Sequence, residues 1–381
     1  MIFKGIREGF FSPQADRKSA VVCLLILFTV GVGAPASSSQ TQSSPAAISG
    51  PITFEEIAGQ SGINFSVDSS PTPNKNQIET MVAGVALIDY DRDGYQDIFF
   101  VNGAAIPSLR KDGPQYKNRL FHNNRNGTFT DVTDKAGLGG FGYDMGAAVG
   151  DFDNDGRPDL YVAGVTRNHL YHNNGDGTFT DVTDKAGVSG GMHEGKKMWS
   201  VAAAWLDYNN DGLLDLFVSN YVKWEVNKDP ECVVANIRNY CSPVLYEPLP
   251  NTLYRNNGDG TFTDVSVETG IAKHLGRGMG VAIADYDGDG FMDIFVANDD
   301  SPNMLFHNLA GKRFEEVADS TWVAYNPSGK TVSGMGADFR DVNNDGRPDI
   351  WFTALPTEMF PLFLNRGEGA FDDATTRSGL A

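Results

Sequence analysis

Hydrophobic and polar positions follow a repeating design, clearest over residues 145–183. A small-residue run, Met145-Gly-Ala-Ala-Val-Gly150, is followed by the apolar run Asp159-Leu-Tyr-Val-Ala163. Next come the alternating run Asn168-His-Leu-Tyr-His-Asn173 and the closing run Gly177-Thr-Phe-Thr-Asp-Val-Thr183. Each is the length of a strand, and no helical period connects them. Between the last two lies Asn174-Gly-Asp-Gly177, whose Asp-Gly favours the positive φ of a tight hairpin turn. The device returns at Asn257-Gly-Asp-Gly260 and, modified, at Arg125-Asn126-Gly127 and Arg366-Gly-Glu-Gly369.

Four-strand units repeated along a chain predict an all-β fold, a β-propeller of four-stranded blades. The small-residue runs Ala202-Ala-Ala204 and Gly278-Met-Gly280 suit the crowded innermost strand, and Phe129, Phe179 and Phe262 suit packing between blades.

Between the first and second strands of each unit sits a nine-residue acidic loop with a glycine at its sixth position. The loops are Asp89, Asp91, Asp93, Tyr95, Asp97; Asp151, Asp153, Asp155, Arg157, Asp159; Asp207, Asn209, Asp211, Leu213, Asp215; Asp285, Asp287, Asp289, Phe291, Asp293; and Asp341, Asn343, Asp345, Arg347, Asp349, taking positions one, three, five, seven and nine in each. Carboxylates crowded in this way repel unless a hard cation with oxygen ligands sits among them, so the loops are expected to bind Ca²⁺. Positions one, three, five and nine supply side-chain oxygens, and position seven its backbone carbonyl. Asn209 and Asn343 keep an oxygen and drop a charge.

An EF-hand needs a bidentate Glu at position twelve, where this chain has Phe100, Val162, Val218, Val296 and Phe352. Those residues belong to strands leaving the loops, so the EF-hand is excluded.

With 381 residues and 41% hydrophobic content the chain can bury a large core. Its formal net charge of −19 argues against nucleic acid as a partner. Lys4, Arg7, Arg17 and Lys18, the apolar run Ala20 to Val32 and then Ala34-Pro-Ala36 have the layout of a secretory signal peptide over residues 1–36, with an uncleaved single-pass anchor as the alternative. Cys23 is read as part of that signal. Residues 37–52 form a Ser-rich linker, and the propeller is expected over 53–381, opening on a strand at Phe54-Glu-Glu-Ile.

In an exported chain the remaining pair, Cys232 and Cys241, is most simply a disulfide. It lies in an insertion over 221–250 that, with the loop Ser189 to Lys197, is the place expected to carry a binding surface. His193 in that loop is read as a solvated residue.

The patterns N-x-L-Y-x-N-N-G-D-G-T-F-T-D-V and G-x-x-x-A-x-x-D-x-D-x-D-G-x-x-D resemble the VCBS or FG-GAP repeat. The variant with a Cys insertion before Pro-Asn251-Thr-Leu-Tyr-Arg-Asn256 is similar to the ASPIC/UnbV group, the bacterial relatives of cartilage acidic protein. The resemblance covers residues 53–381 and implies a calcium-binding propeller of the kind in integrin α-chain heads, with Asp285, Asp287, Asp289 and Asp293 at ligand positions. Such propellers usually have seven blades and the group usually ends in a separate C-terminal domain. Five loops and no such domain imply a five-unit form or a truncated sequence.

Two functions are consistent with these features. One is a secreted, periplasmic or cell-surface binding and adhesion module for a protein or glycan, with structural calcium and no catalytic activity. The alternative is an extracellular polysaccharide lyase or hydrolase. A residue repeated five times is a poor single active site, and the chain has no His-Glu-x-x-His or phosphate loop.

Overall fold

The structure, a computed structural model, describes residues 54–81 and 84–380. The leader and most of the linker read from the sequence lie outside the described residues. Contacts divide the chain into a unit ending at Ser61 and a unit over Gly62–Ala381. The described part of the first is residues 54–61, where no strand forms; Phe54 to Ile57 are irregular and Ala58–Ser61 is one helical turn. The expected opening strand does not form there.

The second unit carries five four-stranded antiparallel sheets, each in sequential strand order. Sheet one comprises Val85–Ile88, Asp97–Phe100, Arg119–Asn123 and Phe129–Asp131. Sheet two comprises Asp144–Gly150, Asp159–Gly164, His169–Asn173 and Phe179–Asp181. Sheet three comprises Ser200–Leu206, Asp215–Asn220, Thr252–Asn256 and Phe262–Asp264. Gly278–Ala284, Asp293–Asn298, Met304–Asn308 and Phe314–Glu316 form sheet four; Ala337–Arg340, Asp349–Phe352, Leu362–Gly367 and Ala370–Asp373 form sheet five. These are the blades of a β-propeller, and the acidic loops join the first two strands of each.

The first strand of each sheet packs on that of the next, which explains its small residues. A Cβ at Gly146 would stand 2.3 Å from the Val201 carbonyl oxygen, and one at Gly280 would stand 2.1 Å from that of Met335. Because strand side chains alternate between faces, each sheet presents one apolar set to its predecessor and another to its successor. Phe99, Tyr161, Phe217 and Phe295 occupy the same place on the successor face of sheets one to four, and all are fully buried. They anchor apolar layers joining sheet one to two, two to three, three to four and four to five.

The outer faces of the series break this pattern. In sheet five the successor face carries Asp338 and Arg340, paired at 2.9 Å, and Trp351, which is 37% exposed where its four counterparts are covered. On the predecessor face of sheet one, Val85 and Leu87 are 56% and 54% exposed.

A polar tie reinforces each apolar layer. The asparagine near the end of the third strand donates its amide both to its own loop and to the loop of the preceding sheet. Asn173 reaches Tyr90 O at 2.8 Å, Asn256 reaches Phe152 O at 2.7 Å, Asn308 reaches Tyr208 O at 2.8 Å and Asn365 reaches Tyr286 O at 2.7 Å. Among the described residues the side-chain amide of Asn123, in sheet one, donates to its own loop, at Gln96 O, and not to another sheet.

Replacing Asn256 with Ala leaves the carbonyls of Phe152 and Leu214 without this donor, a loss of about 2–4 kcal/mol at the usual cost of unmade buried bonds. Asn123→Ala, at an exposed rim, is expected to cost under about 1 kcal/mol. Urea unfolding followed by tryptophan fluorescence measures the two; equal losses would refute a tie between blades.

Candidate metal centres

Each loop is shaped by the same few hydrogen bonds. The position-one carboxylate accepts the backbone N–H groups of positions five and six: Asp89 from Asp93 and Gly94, both at 2.9 Å, and Asp207 from Asp211 at 3.1 Å and Gly212 at 2.8 Å. Asp151, Asp285 and Asp341 repeat the pair. The position-five carboxylate accepts from the N–H of position seven in all five loops, Tyr95, Arg157, Leu213, Phe291 and Arg347. The chain turns through a left-handed residue at position six, φ 92° at Gly290, a conformation that favours glycine.

Position nine is the buried end of the loop. Asp97, Asp159, Asp215, Asp293 and Asp349 are all fully covered. Each accepts the N–H of position two and the N–H of the tie asparagine; for Asp293 these are Tyr286 at 3.1 Å and Asn308 at 2.7 Å. Backbone donors thus offset part of the carboxylate crowding that the sequence alone suggested only a cation could offset.

Burial nevertheless pushes Asp97 up to about 6 and Asp159, Asp215 and Asp293 up to about 7. The two N–H donors oppose the shift, while loop carboxylates such as Asp91, Asp153, Asp211 and Asp287 reinforce it. Four oxygen side chains, one of them buried and disfavoured as an anion, fit a divalent cation that would hold them ionised.

The structure brings the predicted ligands together. Oxygen atoms of Asp89, Asp91 and Asp97 lie within 4.8 Å of one another, as do those of Asp151, Asp153 and Asp155. The loops are not equivalent, however, and the differences come from the side chains at positions three and seven and from one arginine outside the loop. Arg157 and Arg347 turn their guanidinium groups onto Asp155 and Asp345 of their own loops, and Arg125 reaches Asp93 from the hairpin turn at 2.7 Å. Asn209 and Asn343 donate their amides to Asp211 at 2.9 Å and Asp345 at 3.1 Å.

The loop at Asp285 has four aspartates and a Phe at position seven. Its Asp289 faces a cleft of about 680 Å³ lined also by His307, Asn308, Lys312 and Arg313.

Histidines form a second contribution that the loop spacing did not reveal. His122, His172 and His307, on third strands, stand beside the loops of sheets one, two and four, each Nδ1 within 3.2–3.5 Å of two loop carboxylates. The runs Leu-Tyr-His-Asn173 and Leu-Phe-His-Asn, ending at Asn123 and Asn308, held the signal, since they place the histidine one residue before the tie asparagine.

The insertion is ordered. Cys232 and Cys241 form a disulfide, as expected from the sequence. Beneath it Asp229 accepts bonds from Trp224 Nε1 at 2.7 Å, Tyr246 Oη at 2.8 Å and the Gln77 N–H at 3.0 Å. Tyr221, Val222, Cys241 and Tyr246 belong to a buried cluster with Trp199. The loop around His193 is a short hairpin, Met192–His193 with Lys196–Lys197, tied to the insertion by Lys223 on Glu194 and Lys196 on Glu225.

The fold and its repeated loops define a class. The FG-GAP-like repeat family matches residues 89–162, 151–218, 227–296 and 285–352, and the chain belongs to that family. It is similar to cartilage acidic protein 1 of Homo sapiens, 27% identical over 318 residues, and of Mus musculus, 27% identical over 293 residues, covering 80% and 74% of this chain. A segment of 109 residues is 38% identical to the Xenopus tropicalis protein, covering 28% of this chain and 16% of that one. The chain spans 43% of the human protein's length and 40% of the mouse protein's.

Among solved structures, an Agrocybe aegerita lectin recognising non-reducing terminal N-acetylglucosamine is 17% identical with a TM-score of 0.43, covering 78% of this chain and 68% of its own. The V. cholerae biofilm matrix protein Bap1 is 12% identical with a TM-score of 0.41, covering 76% of this chain and 38% of its own.

The raised carboxylates set a pH dependence for the chelator-treated protein. Their folded values lie above the unfolded value near 4, so their stabilising protonation is complete in acid and is lost as pH rises toward 7. The melting temperature in excess chelator is expected to fall between pH 5 and pH 8. Asp215→Asn, although less stable throughout, should show a flatter slope; an unchanged slope by scanning calorimetry would contradict the assignment.

Proposed function

We propose that the protein is an exported calcium-binding propeller that acts as a binding or adhesion module for an extracellular protein or glycan and has no catalytic activity of its own. The observation that carries this reading is the contrast between repeated and unrepeated parts. The acidic loops recur with one set of hydrogen bonds, which suits a role in holding the scaffold.

The insertion occurs once, and it lifts the hairpin Cys232–Val234 and Ile237–Asn239 from a cross-linked, hydrogen-bonded base. Val233, Val234 and Ile237 at its tip are 53%, 61% and 70% exposed. Clustered apolar residues on a rigid base are the usual form of a contact surface. The disulfide suits an oxidising compartment. Among the described residues no helix is long and apolar enough to cross a membrane.

Calcium sites of extracellular modules have dissociation constants of about 10⁻⁴ to 10⁻³ M. At ten times that concentration each site adds about 1.4 kcal/mol to stability. Five sites then contribute about 7 kcal/mol, on the scale of the net stability of a whole domain. Calcium at these loops is a staple of the scaffold, and its effect reaches partners through the rigidity it gives to the blades.

Calorimetry with and without chelator tests the calcium part of this reading. The expected result is a melting temperature at least about 10 °C lower in chelator, given several kcal/mol lost from a large unit. An unchanged melt, together with no calcium by elemental analysis of the purified protein, would overturn it. Cleavage of polysaccharides by the same preparation would overturn the non-catalytic part.

A further inference from the structure

We infer that the loops beginning at Asp89, Asp151 and Asp285 are mixed nitrogen and oxygen sites that select a borderline divalent ion of the manganese-to-zinc series, while those at Asp207 and Asp341 accept only hard, oxygen-liganded ions. The inference rests on the reading of the loops as cation sites and divides them into two kinds.

The division comes from one position on the third strand, immediately before the tie asparagine. It is His122, His172 and His307 in sheets one, two and four, but Arg255 in sheet three and Leu364 in sheet five. A guanidinium has no lone pair to give and a leucine has no donor atom, whereas neutral imidazole suits transition ions and zinc rather than calcium.

The three histidines share one geometry. In each, Nδ1 approaches the carboxylates of loop positions three and nine. For His122 the distances are 3.4 Å to Asp91 and 3.2 Å to Asp97; for His172 they are 3.3 Å to both Asp153 and Asp159; for His307 they are 3.5 Å to Asp287 and 3.3 Å to Asp293. Neighbouring ligands held about 2.1 Å from one ion stand about 3 Å apart at right angles, so donors at these spacings need only small shifts to bracket it.

The orientation is set by packing. Each imidazole meets the ring at loop position two edge to face, Tyr90 at 6.0 Å, Phe152 at 6.2 Å and Tyr286 at 5.9 Å between centroids. Nδ1 of His122 and of His172 is buried and has no hydrogen-bond partner. In the third, His307 Nδ1 is 3.3 Å from Asp293 Oδ1. A ring held by an aromatic neighbour, with its nitrogen turned toward two carboxylates, places nitrogen and oxygen donors around one point.

The loops of sheets three and five show how the alternative is built. There the third position is Asn209 or Asn343, bonded to the position-five aspartate, and neither loop has a nitrogen donor. In the loop at Asp285, His307 and Asp289 also line an open cleft, through which an ion can enter.

The test uses the purified full chain, stripped with chelator and dialysed against millimolar calcium with and without micromolar Zn²⁺, with bound metals counted by elemental analysis. With zinc present, about three zinc ions should replace calcium per chain, leaving about two calcium ions. In the triple variant His122→Gln, His172→Gln, His307→Gln, apparent zinc affinity should fall at least about tenfold. Calcium held by the Asp207 and Asp341 loops of that variant reports that it folds, and His169, His193 and His274 remain to reveal adventitious zinc.

Titration with Co²⁺ gives an independent readout, a visible band present in the wild-type chain and lost in the variant. Calcium binding with no histidine-dependent zinc or cobalt binding would overturn the inference and leave the calcium reading intact; the imidazoles would then be ion-pair partners only. Binding of neither calcium nor zinc would overturn both.

Discussion

The structure depends on a carboxylate buried at the end of each acidic loop. Asp97, Asp159, Asp215, Asp293 and Asp349 have no contact with solvent, and each holds two backbone N–H groups, one from its own loop and one from the third strand. That second bond places the tie asparagine, whose amide in sheets two to five crosses to the preceding loop. One aspartate therefore joins loop to strand and, through its neighbour, blade to blade. A buried anion is costly unless it is compensated, so the loop is where the fold stores a demand for positive charge.

The demand is met differently around the series. Arginine reaches the outer carboxylates in the loops of sheets one, two and five, an asparagine amide does so in those of three and five, and histidine stands by in those of one, two and four. The sequence repeat makes a common backbone; the side chains at positions three and seven, with Arg125 and the histidines from outside the nine-residue window, decide what each loop can hold.

Much of this was legible in the sequence because its causes are local. Carboxylates at alternate positions around Gly290 declare a loop, and runs such as Asp293–Asn298 declare the strand leaving it. The disulfide was readable from Cys232 and Cys241 because few partners were available. The tie made by Asn308 to Tyr208 was not readable, since the two are 100 residues apart and meet only once neighbouring sheets stack. The same holds for His307 and Asp287, which sheet register brings together. Phe54 to Ile57 resembled a strand by local composition, yet β-propensity is set more by context than by composition, and the segment is irregular. The insertion was read as a candidate surface. Part of it is core, with Tyr221, Val222, Cys241 and Tyr246 buried, while the hairpin tip and Val244 and Leu245 are exposed.

Direct observation of the ion is the most decisive measurement. A crystal grown from calcium-containing solution, with anomalous scattering recorded at long wavelength, should show a peak in each acidic loop about 2.3–2.6 Å from the side-chain oxygens of positions one, three, five and nine. In the loop at Asp285 these are Asp285, Asp287, Asp289 and Asp293. Ordered loops with no peaks at millimolar calcium would contradict the account, because the buried aspartates would then be held by hydrogen bonds alone.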